Sequence, residues 1–180
     1  MTAQPQSKHP KRHYVDLREP YRPRELRHIF VLESPPCSGK YFYDENGGTG
    51  EPLFLAMMKM MGRAPNDKRE GLLWFKDCGY LLMDATYQPV NKGVSDGRRS
   101  QMILDDFNAL VEDLLVVNPG QTAPLILVKA NICRLLAPRL VQAGFNVLNN
   151  GAVVPFPASG QQNAFHRELA KFHTCNPCTK

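Results

Sequence analysis

Four short apolar runs recur along the chain, each ended by a polar loop: Ile29–Leu32, Gly79–Asp84, Leu125–Val128 and Phe145–Leu148. Runs of four to six such residues, rich in branched and aromatic side chains, read as buried strands. Helical spacing fills much of the chain between them. Pro52 opens and Gly62 closes one helix. From Arg98 to Val117, the residues Met102, Ile103, Phe107, Leu110, Leu114 and Leu115 fall on one helical stripe. A helix from about Ile132 to Ala143 is closed by Gly144, and a last one runs from Asn163 to about Phe172. Strands alternating with helices predict an α/β fold: a single-domain, three-layer α/β/α arrangement around a mostly parallel four-stranded sheet. Right-handed crossovers place every strand-end loop on one edge. Glu33, Asp84, Lys129 and the loop Pro155–Gln162 are therefore expected to converge.

Composition sharpens this in three places. The chain has 180 residues, 43% of them hydrophobic, enough for one domain with its own core. Residues 1–27 carry Lys8, Lys11, Arg12, Arg18, Arg22, Arg24 and Arg27 among prolines. They read as a basic, partly disordered arm ahead of a domain spanning 28–180; the arm is either solvated or touches a phosphate backbone. The net charge of +5 suits a nucleic-acid partner without requiring one. No apolar run approaches the ~20 residues that span a bilayer, and the N-terminus has no secretory h-region. The expectation is a soluble, cytoplasmic monomer. Five cysteines without a signal peptide point to reduced thiols. Cys175 and Cys178 form a lone CxxC with no second pair to complete a zinc site, and read as free thiols in a frayed tail. No metal or cofactor is expected.

The candidate chemistry lies just past the first strand. Glu33 ends the run, two prolines follow, and the loop then carries Tyr41, Phe42 and Tyr43. A carboxylate with flat rings at a strand's carboxyl end suggests a site for a flat, aromatic substrate. The segment Ser34–Tyr41 also has the outline of a phosphate-binding P-loop. Ser34 stands where that motif has its first glycine, Tyr41 where it has its hydroxyl, and Pro35 and Pro36 lack N–H groups for phosphate.

A second comparison fits the order of motifs better. The chain resembles the uracil-DNA glycosylase superfamily over roughly residues 28–172. Leu32-Glu-Ser-Pro-Pro36 matches its first motif, with Glu33 where one branch keeps a glutamate and Pro35 on the shared proline. Phe42, followed by Pro52-Leu-Phe-Leu, is similar to its stacking aromatic and the helix beyond. Asp84 stands where the family has an asparagine that reads the uracil edge. Phe156-Pro-Ala-Ser-Gly-Gln-Gln162 is similar to the loop that inserts into the DNA minor groove. The chain departs from the pattern in lacking the leading glycine, the histidine of the last motif and the iron–sulfur cysteines.

The resemblance implies removal of uracil from DNA by base flipping, leaving an abasic site, with uracil-containing DNA as partner. Glu33 would stabilise the developing sugar cation and orient water. Ser34 and backbone N–H groups would donate to the leaving base. Phe42 and Tyr43 would stack on or line the flipped base. Asp84, if neutral, offers one donor and one acceptor to the uracil edge; otherwise it structures the loop. Pro157, Ser159, Gly160, Gln161, Gln162 and Lys129 would meet DNA, although Ser159 or Gly160 equally suits a helix N-cap. Two other readings stay open: a nucleic-acid-binding relative without catalysis, and a P-loop-like nucleotide enzyme.

Overall fold

The computed structural model describes residues 9–88 and 93–173. Three strands form its sheet: β1 (His28–Leu32), β2 (Tyr80–Asp84) and β3 (Leu125–Leu127). All pair in parallel, in the order β2-β1-β3, with Leu32 opposite Asp84 and Val31 opposite Leu127. Every residue of the three strands is buried. That explains why they read as continuous apolar runs and not as alternating ones.

The sheet is flanked by helices α1 (Lys11–Arg18), α2 (Pro52–Met60), α3 (Lys68–Asp77), α4 (Asp96–Asp105), α5 (Phe107–Val117), α6 (Ala130–Gln142) and α7 (Gln162–Leu169). Among these, α3 packs on β2 and α6 on β3, while α2 rests on α3 and α7. No helix among the described residues is long and apolar enough to cross a membrane.

Four expectations need correction. The predicted fourth strand is reduced to one bridge, Leu125 with Val147. Just beyond it, the Asn149 side chain takes over the ladder. Its Oδ1 accepts from Leu127 N at 2.9 Å and its Nδ2 donates to Leu127 O at 2.8 Å. A side-chain amide thus satisfies the edge that a strand would have covered, and the sheet has three strands.

The stretch from residue 11 to 21 is not an arm. It is α1 and a short 3-10 turn folded onto the sheet's helices, with Tyr14 and Arg18, four residues apart on one face, both buried. The single helix expected over 98–117 is two, broken at Asp106. That carboxylate accepts from Thr86 Oγ1 at 2.5 Å and from Gln88 Nε2 at 3.2 Å, so a tertiary contact holds the joint. Cys78 is disulfide-bonded, against the expectation of reduced thiols. Cys37 and Cys133 are free, and Cys175 and Cys178 lie outside the described residues.

Candidate functional site

Parallel strands end together, and here their ends deliver the site. Leu32 and Asp84 are register partners, so Glu33 emerges one residue beyond them and Lys129 two residues past β3. Backbone bonds continue the sheet into the loops: Ala85 N donates to Leu32 O at 2.8 Å, Thr86 N to Glu33 O at 3.1 Å and Val128 N to Val31 O at 2.9 Å. Over this edge lies a cavity of about 490 Å³, with Glu33, Ser34, Tyr41, Phe42, Asp84 and Lys129 in its wall. That volume falls in the range of small-molecule sites.

Glu33 is buried, and its carboxylate is clamped. Lys129 Nζ and Asn131 Nδ2 each donate to one of its oxygens, and Arg99 Nε stands 3.9 Å from Oε1. Lys129 reaches it from a backbone φ of +89°, a left-handed region that favours glycine. Two backbone bonds hold it there: its N–H donates to Val154 O at 2.8 Å and its C=O accepts from Cys133 N at 3.0 Å. Strain at a non-glycine residue, held by surrounding bonds, often marks a functional position.

Asp84 is 4% exposed, and its Oδ2 has no hydrogen-bond partner among the described residues. Burial pushes its carboxyl up to about 7, opposed by the Arg18 guanidinium and the Tyr41 hydroxyl. Near neutral pH the group is thus divided between a neutral acid, able to donate and accept, and an ionised acceptor.

The aromatic loop divides its labour. The Phe42 ring lines the cavity but is 4% exposed and packs on Tyr43, Phe54 and Phe75 at 5.0–5.9 Å between ring centroids. Tyr43 does not line the cavity. Its hydroxyl accepts from Leu82 N at 2.7 Å and donates to Leu82 O at 3.2 Å, plugging the outer edge of β2. Tyr41 takes the place expected for Tyr43 in the cavity wall. A buried lysine fixes this loop: Lys68 Nζ donates to Tyr41 O and to Glu51 Oε2, each at 2.7 Å. A Cβ on Gly47 would come within 2.5 Å of Glu51 Oε1 and 2.7 Å of that ammonium, so a larger residue there would have to displace the Lys68–Glu51 pair.

The loop after Val154 sends Phe156 into the cavity wall. Pro157 is buried, whereas Ser159, Gly160 and Gln161 form an exposed turn with Ser159 and Gly160 at φ +51° and +82°. Gln162 opens α7, whose N-cap is Gln161 without any side-chain cap. The helix-capping role considered for Ser159 or Gly160 is therefore absent.

Sequence reasoning missed Tyr41, Arg99, Asn131 and Phe156, all of which build this site. Tyr41 carried a signal as a member of the aromatic triplet, and Phe156 as part of the loop expected at this edge; Arg99 and Asn131 carried none. Nor does the Ser34–Tyr41 loop have P-loop geometry: no helix follows Lys40 until Pro52, so no helix N-terminus faces it. Compared with protein-family models, with curated proteins and with solved structures, the chain matches none.

Proposed function

We propose that the chain is a DNA repair glycosylase that hydrolyses the N-glycosidic bond of uracil flipped into the strand-end cavity. One observation carries the reading. Asp84 is a buried carboxyl in the cavity wall with an unpartnered oxygen, beside the rings of Tyr41 and Phe42 and one residue in register from Glu33. A neutral Asp84 donates to uracil O4 and accepts from N3–H, the role an amide plays in the family that the sequence resembles. Phe42 and Tyr41 offer the faces on which an extruded base stacks.

Glu33 stabilises positive charge as it develops on the sugar, and the Lys129 ammonium and Asn131 amide hold its carboxylate in place. Ser34, in the cavity wall, offers a hydroxyl donor to the negative charge that would develop on the leaving base. The exposed Ser159–Gln161 turn, with no bulky side chain at Gly160, can approach a backbone or groove closely.

A second reading has its own support. The Glu33 carboxylate already receives Lys129 and Asn131 and lies near Arg99, which leaves little of it to orient a water. That favours a relative that binds flipped bases without turnover. One experiment separates the two. A labelled uracil-containing oligonucleotide is incubated with the protein in EDTA and then treated with alkali. Strand cleavage at uracil supports excision; retention of the oligonucleotide without cleavage supports binding alone; neither would remove both readings.

A further inference from the structure

The wall of the strand-end cavity changes character from floor to rim. Tyr41, Phe42, Phe54, Leu82 and Asp84 are each 4% exposed or less. Ser38 and Lys40 are exposed, and the side chains of Arg99 and Lys129 are 20% and 36% exposed. The floor is thus apolar and aromatic, with one unpartnered carboxylate oxygen at Asp84, and the rim carries Lys40, Arg99 and Lys129. The other two carboxylates of the wall are taken. Glu33 receives the Lys129 ammonium and the Asn131 amide. Glu51 receives the buried Lys68 ammonium at 2.7 Å, a charge supplied from outside the wall. Lys40 has no carboxylate partner among the described residues. Arg99 lies 3.9 Å from Glu33 and 3.3 Å from Asp96, whose side chain is 97% exposed, a contact that solvent weakens. With Lys68 set against Glu51 and Lys129 against Glu33, the rim keeps the charges of Lys40 and Arg99.

We propose that the cavity admits a whole mononucleotide, its base on the aromatic floor and its phosphate at Lys40 and Arg99, so that free deoxyuridine monophosphate is a ligand in its own right. The identity of the base rests on the excision reading; the place of the phosphate rests on the rim. The volume is about 490 Å³. A uracil ring of about eight non-hydrogen atoms leaves most of that space empty, whereas a mononucleotide of about twenty has the size that such cavities enclose. An ammonium and a guanidinium both give charge-assisted hydrogen bonds to phosphate oxygens. Ser38, two residues before Lys40 in the same wall, adds a hydroxyl donor.

Side chains, not backbone, supply this anion site. Pro35 and Pro36 have no N–H. The N–H groups of Gly39 and Tyr41 donate within the loop, to Pro36 O at 3.1 Å and to Gly39 O at 3.0 Å. The phosphate is therefore held by charge at the rim, an anchor that neither a free base nor a nucleoside offers. A free nucleotide and a nucleotide within a DNA strand share this chemistry, and the two sources can be separated.

The test is calorimetry on the full chain at low ionic strength. The ligands are the 5′- and 3′-monophosphates of deoxyuridine, deoxyuridine itself, and a trinucleotide with central deoxyuridine and no terminal phosphate. The better monophosphate should bind about tenfold tighter than deoxyuridine, and the advantage should shrink in about 0.5 M salt. Lys40→Met should remove about threefold of it and Lys40→Glu nearly all, with affinity for deoxyuridine unchanged within about twofold. Arg99→Met should act in the same direction, and Arg99→Lys should restore part of the loss. Lys40 is exposed, so the decision stands on its variants even where Arg99→Met does not fold. Equal affinity for the monophosphates and deoxyuridine, or an advantage untouched by Lys40→Glu, would overturn the proposal. If only the trinucleotide gains from Lys40, the phosphate belongs to a strand and the free nucleotide is overturned as a ligand. If deoxyadenosine monophosphate binds as tightly as the uracil nucleotide and depends equally on Lys40, the excision reading loses its base and the phosphate site stands. If uracil is excised from DNA but no monophosphate gains over deoxyuridine, the excision reading stands and the phosphate site falls.

Discussion

The two ends of the same strands carry buried titratable groups with opposite fates. At the carboxyl ends, Asp84 sits in a cavity wall, its Oδ2 unpartnered and its carboxyl pushed up to about 7. At the amino ends, His28 and Tyr80 are register partners. There the Tyr80 hydroxyl lies 2.5 Å from His173 Nε2, and the two imidazole rings are 5.3 Å apart. Burial, the neighbouring imidazole and Arg27 push His28 down to about 4, and His173 also falls below its usual value. Burial favours the neutral form at both ends. The difference is that His173 packs over the histidine end, whereas the carboxyl end opens on a cavity. Each end keeps a buried polar atom without a partner among the described residues, His28 Nδ1 and Asp84 Oδ2, and the second is carried by a residue in the wall of the strand-end cavity.

The signs of pH dependence follow. Asp84, raised from 3.8 to about 7, holds its proton in the native state more tightly than when unfolded. Its contribution is therefore lost as pH rises from about 4 to 7. His28, lowered from 6.5 to about 4, resists protonation in the native state, so stability is lost as pH falls from about 6.5 to 4.

The largest expected effect tests whether Phe42 belongs to the cavity, the core or both. With its ring packed on Phe54 and Phe75, Phe42→Ala should lose about 3–5 kcal/mol in urea denaturation. Because the ring also lines the cavity, productive base binding per folded molecule should weaken by about 1–3 kcal/mol. Normal binding by the folded variant would assign the ring to the core alone.

Next in size is Asp84→Asn. Removing the costly ionisation should raise stability progressively from pH 4 to 7, by at most about 4 kcal/mol for a shift of three units, and leave the acid limb unchanged. Excision should persist and lose its sensitivity to alkaline pH, since an amide presents a donor and an acceptor without a proton to lose. Thermal melts and single-turnover rates across pH check both. Inactivity at every pH would make Asp84 a base.

Tyr80→Phe probes the histidine end. It leaves His173 Nε2 buried without its partner, at a cost of about 1–3 kcal/mol in stability, with excision by folded protein unchanged. A slowed excision rate would erase the division between the two ends. Smallest in energy is Glu33→Gln, expected to slow single-turnover excision about tenfold, or roughly 1.4 kcal/mol, with DNA affinity nearly constant. Wild-type rates would remove Glu33 from the chemistry.

Some of this was legible in the chain and some was not. The missed α3 had a signal: Asp67 caps Glu70 N at 2.8 Å, and Glu70 returns to Asn66 N at 2.7 Å, a reciprocal cap visible as Asp-x-x-Glu. Asn149 carried none. An asparagine after an apolar run reads as a turn, and only the approach of β3 lets its amide replace a strand.

By itself, the sequence determined the three strands, their parallel pairing and the polar residue at each strand's end. Buried parallel strands are local apolar runs, and their crossovers leave one common edge. The tertiary structure alone decided that Arg18 comes from a basic segment to be buried against the Tyr87 hydroxyl, that Arg99 and Asn131 join Lys129 around Glu33, and that Tyr41 and not Tyr43 lines the cavity. Periodicity says which face of an element is buried. It does not say which distant side chain will share that burial, because charge pairing across 66 or 96 residues leaves no local pattern.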